Sequence, residues 1–420
     1  MQMNTLDRQT RPPHDHLALG TIVIVADDLT GACDSAAAFL ASGRRVRVLL
    51  EPSPFRSGSR SGIEHRLQAQ GPPEVLAFTT ETRDGSSAQA GQRVAHCIAT
   101  LDPISSNALL FKKVDSAARG HFGVEVGAAL RCSGAALALV APAFPEAGRT
   151  VESGILKIRD CSGQDAAIPL RSLFLDQNVS DLHVSDQLVS DQDVSDQLVS
   201  DQHAHRIRLL PASSEQHLER GIAAALANGT RILLCDSTSQ QDLERLAAAA
   251  LRVPQPLLWV GSAGLAHALA ATLPVSFPRA TPPGPAPETR RRHGRTLLFV
   301  GTPHPVTTLQ VSHLEQNPAA IGRTIHRIQS DTTPEQDVVA AFLAAPVSAL
   351  ILTGGDTASF VLRSLGATGI SLAGELARGI PWGFVEGGVA AGCVVVTKSG
   401  GFGRHDALLH AFEFCERRLV

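Results

Sequence analysis

Two adjacent carboxylates, Asp27 and Asp28, stand where the β-branched run Ile22–Val25 gives way to the small-residue stretch Ala32–Ser42. In an open α/β sheet, ligands bind at the carboxyl ends of strands. A carboxylate there can accept hydrogen bonds from substrate hydroxyls or serve as a general base. A helix cap by Asp or Thr would account for one such residue, not for two in a row. A second cluster, Lys112-Lys113-Val114-Asp115-Ser116-Ala117-Ala118-Arg119-Gly120, also follows an apolar run. Lys113, Asp115 and Arg119 offer cations beside an acceptor, a set suited to a polyol that carries a carboxylate. A surface ion-pair cluster is the alternative. A third segment, Ala141-Pro142-Ala143-Phe144-Pro145-Glu146-Ala147-Gly148-Arg149, is a loop stiffened by two prolines that holds Arg149.

The C-terminal third carries three glycine-rich turns, each after an apolar run: Gly301-Thr302-Pro303-His304-Pro305-Val306-Thr307, Thr353-Gly354-Gly355-Asp356-Thr357-Ala358 and Lys398-Ser399-Gly400-Gly401-Phe402-Gly403. Paired glycines before a helix let backbone N–H groups approach a phosphate, and the helix N-terminus favours its charge. Asp356 could hold Mg²⁺ or orient the reacting groups, and Lys398 could contact phosphate. Gly261-Ser262-Ala263-Gly264 has the same look. Any one such turn commonly just caps a helix; their number is the signal. The chain has no Gly-Lys dipeptide and hence no P-loop, no complete GxGxxG, no HExxH and no GxSxG.

The elements that must position these residues alternate between strand and helix. Strands are expected at Ile22–Val25, Val46–Leu50, Val75–Phe78, Leu109–Val114, Ala136–Val140, Ile232–Cys235 and Leu257–Val260, with helices such as Glu215–Ala227 between most of them. Gly43 is placed to cap the first helix. The alternation resumes at Leu297–Val300, a helix near Val306–Gln316, Ala349–Leu352, a helix from Ala358, and Val394–Thr397. The spacing predicts an α/β chain of two domains, each a mainly parallel sheet flanked by helices. The expected boundaries are a disordered tail at 1–19, a first domain at 20–273, a Pro/Arg-rich linker at 274–295 and a second domain at 296–420. From Asp176 to His205 a five-residue repeat (DQNVS, DLHVS, DQLVS, DQDVS, DQLVS, DQHAH) interrupts the first domain. Five matches neither the helix nor the strand period, and the polar composition predicts a disordered insert.

Composition bounds the partners. The chain has 420 residues, 44% hydrophobic and 18% charged, with net charge −3. No global basic field draws it to nucleic acid or anionic membrane. No apolar run nears the roughly 18 residues of a membrane span, and residues 1–16 lack the apolar core of a signal peptide. The seven cysteines are scattered without a CxxC, which suits a reducing compartment. A cytoplasmic protein is expected, with self-association left open.

Taken together, ADDLTGA at 26–32, KKVDSAARG at 112–120, PAFPEAGR at 142–149, GSAGLA at 261–266, PVTTLQ at 305–310, TGGDTA at 353–358 and KSGGFG at 398–403 resemble the four-carbon acid sugar kinase family, once known only as a domain of unknown function. The resemblance runs from about Thr21 to the C-terminus, omitting the repeat and the linker. It implies an N-terminal sugar-acid domain, a C-terminal nucleotide domain, and transfer of the ATP γ-phosphate, with Mg²⁺, to a hydroxyl of threonate, erythronate or a 3-oxo-tetronate. The substrate side would carry Asp27, Asp28, Lys113, Asp115, Ser116, Arg119 and Arg149. The ATP side would carry Ser262, Gly354, Gly355, Asp356, Thr357, Lys398, Gly400 and Gly401. Asp28 and Asp356 are the leading candidates to take the hydroxyl proton. The family usually has DSTLRG where this chain has Asp115-Ser116-Ala117-Ala118-Arg119-Gly120, and a serine-rich turn where it has Gly301-Thr302-Pro303-His304-Pro305. Two rivals are a non-catalytic sugar-acid sensor on the same fold and a sugar-acid dehydrogenase. Loss of Asp27, Asp28, Lys113 or Asp356 would favour the sensor, and all are present; the missing dinucleotide fingerprint opposes the dehydrogenase.

Overall fold

The structure is a computed structural model that describes residues 21–50, 74–101, 108–159, 165–175, 206–274, 294–317, 324–329 and 332–419. The tail 1–19, the repeat 176–205 and residues 275–293 of the linker lie outside the described residues.

The strands are β1 (Ile22–Ala26), β2 (Val46–Leu49), β3 (Val75–Thr79), β4 (Leu109–Lys113), β5 (Leu137–Ala141), β6 (Arg149–Glu152), β7 (Ile155–Arg159), β8 (Asp165–Pro169), β9 (Arg206–Leu210), β10 (Thr230–Cys235), β11 (Leu257–Gly261), β12 (Arg295–Val300), β13 (Thr324–Arg327), β14 (Val347–Thr353), β15 (Gly369–Ala377), β16 (Ile380–Glu386) and β17 (Val394–Lys398). Fourteen of them form one sheet in the order β13-β12-β14-β17-β16-β15-β2-β3-β1-β4-β11-β5-β10-β9, and β6-β7-β8 form a small antiparallel sheet. β1, β3, β4 and β5 are buried at every position. That is what parallel strands covered by helices on both faces require, and it is why they read as unbroken apolar runs.

The two α/β units expected from the spacing therefore share a single sheet. The junction is the long β15–β16 hairpin, with β15 pairing antiparallel to β2 from Gly369↔Leu49 to Leu372↔Val46. Arg47 on β2 adds an ion pair to Glu386 on β16 across this junction. The three antiparallel pairings reverse strand direction between the halves. A twist of roughly 20–25° per strand accumulates over the six intervals from β1 to β14. Reversal and twist together turn the carboxyl ends of the two parallel sets toward a common side.

The Leu29–Ala37 helix lies at this meeting point. It touches strands of both halves and the Gly355–Ser364 helix, and all nine of its residues are buried. Gly43, in the left-handed region at φ 79°, ends the short 3₁₀ turn that follows it. One apolar core runs beneath it from Ile24, Phe78 and Phe111 to Leu350, Val361 and Ile370.

Beside the site, Lys112 on β4 is fully buried and meets Glu125 of the Phe122–Cys132 helix at 2.7 Å. Its ammonium also donates to the carbonyl of Lys113 at 2.7 Å. A buried pair is costly to break from one side, by about 3–5 kcal/mol, because the remaining charge is stranded. Lys112→Met should therefore lower unfolding free energy by about that amount in urea. Lys112→Met/Glu125→Leu should recover most of the loss. Equal stability of the single and double variants would show that the stranded carboxylate is not the cause.

Candidate active site

Register decides which residues meet. Ala26, the last residue of β1, pairs with Thr79 of β3 and Lys113 of β4, and Lys113 pairs with Gly261 of β11. Four chain segments therefore leave the sheet at one level: Asp27-Asp28, Thr80–Arg83, Val114–Ser116 and Ser262. Two backbone bonds, Thr80 N to Ala26 O and Thr82 N to Asp27 O, lay the β3 loop along β1 and carry Arg83 over the aspartates.

Arg83 is the hub. It donates to Asp27 Oδ2 through Nη2 at 2.8 Å and Nε at 3.1 Å, lies 2.9 Å from Asp28 Oδ2 through Nη1, and reaches Asp115 Oδ1 at 3.5 Å. Burial alone would push the Asp27 carboxyl up, but Arg83 and Lys113 outweigh it and hold it below the ordinary carboxylate range. Asp115 is likewise held well below that range against the effect of burial, by its hydrogen bonds to Arg119 and by Arg83. In return burial, which would lower Arg83, is overcome by Asp27, Asp28 and Asp115, which push it up.

Asp28 is also the cap of the Leu29–Ala37 helix: Oδ1 accepts from Gly31 N at 2.8 Å and Oδ2 from Thr30 Oγ1 at 2.7 Å. Cap and cleft residue are thus one side chain. Lys113 is 5% exposed, and its ammonium sits 3.9 Å from Asp27 Oδ1.

The second half repeats the logic. Thr353 of β14 pairs with Val300 of β12 and Lys398 of β17, so the turns at 301, 354 and 399 emerge side by side. Gly354 has φ 98°, a conformation costly for any other residue. Thr307 Oγ1 donates to Gly400 O at 2.7 Å, and Gln310 Nε2 donates to the carbonyls of Phe402, Gly403 and Arg404. Lys398 is 1% exposed, and its ammonium is directed into its own loop, toward Thr307 Oγ1 at 3.0 Å and the carbonyls of Ser399, Gly400 and Phe402. Burial pulls it down to about 7, while these acceptors favour the charged form.

The halves touch where the chemistry would lie. Gly355 packs directly on Asp28: a Cβ there would stand 2.2 Å from Asp28 Oδ2. Phe144 of the Pro142–Arg149 loop faces Phe402 of the last turn, ring centroids 5.8 Å apart. Between them is a cleft lined by Asp28, Asp34, Lys113, Asp115, Ser116 and Ser262 from one side, Ser399 and Phe402 from the other, and Arg83.

Several expected residues are placed elsewhere. Asp27 supports Arg83 and Lys113 without lining the cleft. Arg119 is half exposed and clamps Asp115 by a two-pronged ion pair, so it braces an acceptor from outside. Arg149 begins β6, donates to the Ala147 carbonyl and is not among the cleft residues. Ser262 follows β11 beside Lys113 and lines the same cleft as Ser399 and Phe402; its hydroxyl donates to Ala143 O at 2.8 Å and caps the Ala263–Thr272 helix. Lys398, expected to face phosphate, is spent organising its loop. Thr357 is buried between the Gly301 and Gly354 turns, and Gly400 and Gly401 pack on Thr302 and His304. Asp356 is exposed to solvent. Burial of its surroundings and the charges of Asp84 and Asp28 push its carboxyl up to about 6. Asp84 and Asp356 are a pair of hard oxygen donors whose mutual repulsion a divalent cation such as Mg²⁺ would relieve. Sequence reasoning missed Arg83, Asp84, Asp34, Phe144 and Phe402. The polar run Thr79-Thr80-Glu81-Thr82-Arg83-Asp84 after an apolar strand was the available signal for the first two.

Known proteins align with this arrangement. Residues 22–269 match the family model of a sugar-binding N-terminal domain, and residues 335–408 that of a nucleotide-binding C-terminal domain. A D-threonate kinase of Bordetella bronchiseptica is 31% identical over 94% of this chain and 98% of its own. One of Cupriavidus necator is 30% identical over 93% of this chain and 97% of its own. A solved structure of a Haemophilus influenzae protein superposes with TM-score 0.60 at 18% identity, covering 95% of this chain and all of that one. That last likeness speaks for the fold alone.

The Gly355–Asp28 contact makes a sign-changing prediction. Gly→Ala at a helix start is ordinarily neutral or stabilising. Here the added methyl would push Asp28 off its cap, so Gly355→Ala should cost about 1–2 kcal/mol in denaturant unfolding. In an Asp28→Ala background the same change should cost nothing. An equal cost in both backgrounds would show that Asp28 is not what the methyl displaces.

Proposed function

The chain belongs to the four-carbon acid sugar kinase family and is a phosphotransferase, and from that premise we propose that it transfers the γ-phosphate of ATP to a hydroxyl of a four-carbon sugar acid such as threonate, erythronate or a 3-oxo-tetronate. The observation that carries this reading is the contact of Gly355 with Asp28. A turn built for phosphate lies against the carboxylate best placed to hold an alcohol.

Phosphoryl transfer asks the protein for positioning and charge neutralisation more than for covalent help. Lys113 and Arg83 supply cations for the substrate carboxylate. Asp28, Asp115 and Ser116 accept or donate to its hydroxyls, with Asp28 orienting the attacking one. The Gly354-Gly355 turn and the 399–402 loop receive the nucleotide phosphates, and Phe144 against Phe402 narrows the cleft toward water. Asp356 and Asp84 would hold Mg²⁺, which neutralises phosphate charge when bound.

Two experiments test this reading. A cation set for a carboxylate is left unpaired by an uncharged analogue, and such sites reject the analogue by roughly 10⁴-fold. Threonate or erythronate should exceed erythritol in kcat/KM by about that factor. Lys113→Met should cut the acid's kcat/KM by roughly 100-fold and leave nucleotide affinity in place. Comparable values for acid and tetritol in the unmodified enzyme would reject a charge-reading site.

The second is a pH profile. If ionised Asp356 serves the nucleotide side, kcat/KM for ATP should fall as pH drops through about 6. Asp84 raises Asp356, so Asp84→Asn should move this acid limb to lower pH. A limb that stays in place would remove Asp356 from that role.

A further inference from the structure

At the edge of the cleft, three side chains from three elements converge. Asp34 on the Leu29–Ala37 helix, His267 on the Ala263–Thr272 helix and Glu375 on β15 each bring a ligand atom within 4.8 Å of the others. Asp34 Oδ1, His267 Nε2 and Glu375 Oε1 are all buried without a hydrogen-bond partner. Buried polar groups are ordinarily satisfied, so three orphans at one point require an explanation. A proton shared between the two carboxyls is not it, since neither of these oxygens takes part in a hydrogen bond. Nor does substrate reach all three, because only Asp34 lines the cleft.

The surroundings leave the group unbalanced. Burial pushes Asp34 up to about 7 and Glu375 up, and pushes His267 down to about 3. Lys113 is the first charge opposing the shift on Asp34. Arg378 faces all three groups and is paired with Glu146 at 3.1 Å. A neutral imidazole and two carboxylates are what a divalent transition metal takes. Metal–ligand bonds of about 2.0–2.2 Å put ligand atoms roughly 3–4 Å apart, a small side-chain rotation from the observed spread. Mg²⁺, which prefers all-oxygen octahedral surroundings, is the poorer fit.

We propose that Asp34, His267 and Glu375 form a site for one divalent transition-metal ion of the Zn²⁺ or Mn²⁺ kind, distinct from the Asp84–Asp356 carboxylates. An ion there would join the capped helix of one half to the junction strand of the other, behind Phe144, whose ring lies 6.5 Å from that of His267.

The test is calorimetric titration of the chelator-treated full-length chain without nucleotide. Mn²⁺ is the probe, because thiols bind it poorly, and Zn²⁺ is run as a second probe in a Cys132→Ser background, which removes an exposed free thiol. One equivalent should bind, and the thermal midpoint should rise with metal. Glu375→Gln and His267→Asn should each weaken binding by at least tenfold, while Asp356→Asn retains it. The isosteric Glu375→Gln keeps the test decisive if the histidine variant folds poorly. Absence of binding to the unmodified chain, undiminished binding in Glu375→Gln, or loss of binding in Asp356→Asn would each overturn the assignment.

Discussion

A guanidinium held among three buried carboxylates is the condition on which the cleft rests. Without Arg83, Asp27, Asp28 and Asp115 would face one another with Lys113, the Glu125-paired Lys112 and the outlying Arg119 as nearby cations. Stranding even one buried charge costs about 3–5 kcal/mol. Four charged groups close together are affordable only because each satisfies another, and this requires the ends of β1, β3 and β4 to be level. The flush register of those strands is therefore an electrostatic necessity as much as a packing outcome. It also leaves Lys113 lightly paired at 3.9 Å from its nearest acid, the position from which a cation can serve a ligand.

The same economy governs the other half, with backbone in place of side chains. Turns at 301, 354 and 399 are aligned by the pairing of β12, β14 and β17. Lys398 gathers carbonyls of its loop inward, which fixes the loop's shape without a carboxylate partner. One half thus offers fixed side-chain charges and the other a preset backbone. They meet at the cleft through Gly355 on Asp28 and Phe402 on Phe144, and beside these through the Arg378–Glu146 ion pair and the Arg363 bond to Leu50 O.

Much of this is legible in the amino-acid sequence. The interior parallel strands announce themselves because burial on both faces forces continuous apolar runs, which the edge strands β9 and β13 lack, and the glycine turns because their conformations admit few other residues. The half-exposed β6–β8 and the β15–β16 hairpin escaped notice, since strands with one wet face and interior glycines mimic loops. Pairing order is not legible either: the Ser262 turn resembles the glycine turns of the second half, yet β11 lies beside β4. Charge is visible in a sequence and its partner is not, so the pairing of Arg119 with Asp115 and of Lys398 with its own loop is not legible there. Arg83 lies 55 residues from Asp28, 56 from Asp27 and 32 from Asp115, and local spacing carries no trace of such contacts.

The antiparallel seam between β2 and β15 bears on how the chain is made. β2 is complete once Leu49 has left the ribosome, yet the strand that covers its edge begins at Gly369, about 320 residues later. At roughly 5–20 residues per second, that edge waits some 15–60 s with its backbone donors and acceptors unmatched. An unpaired strand edge invites pairing with a neighbouring chain. Nascent copies on one messenger carry the same uncovered edge side by side, so biosynthesis is the stage at which this fold is most exposed to wrong partners.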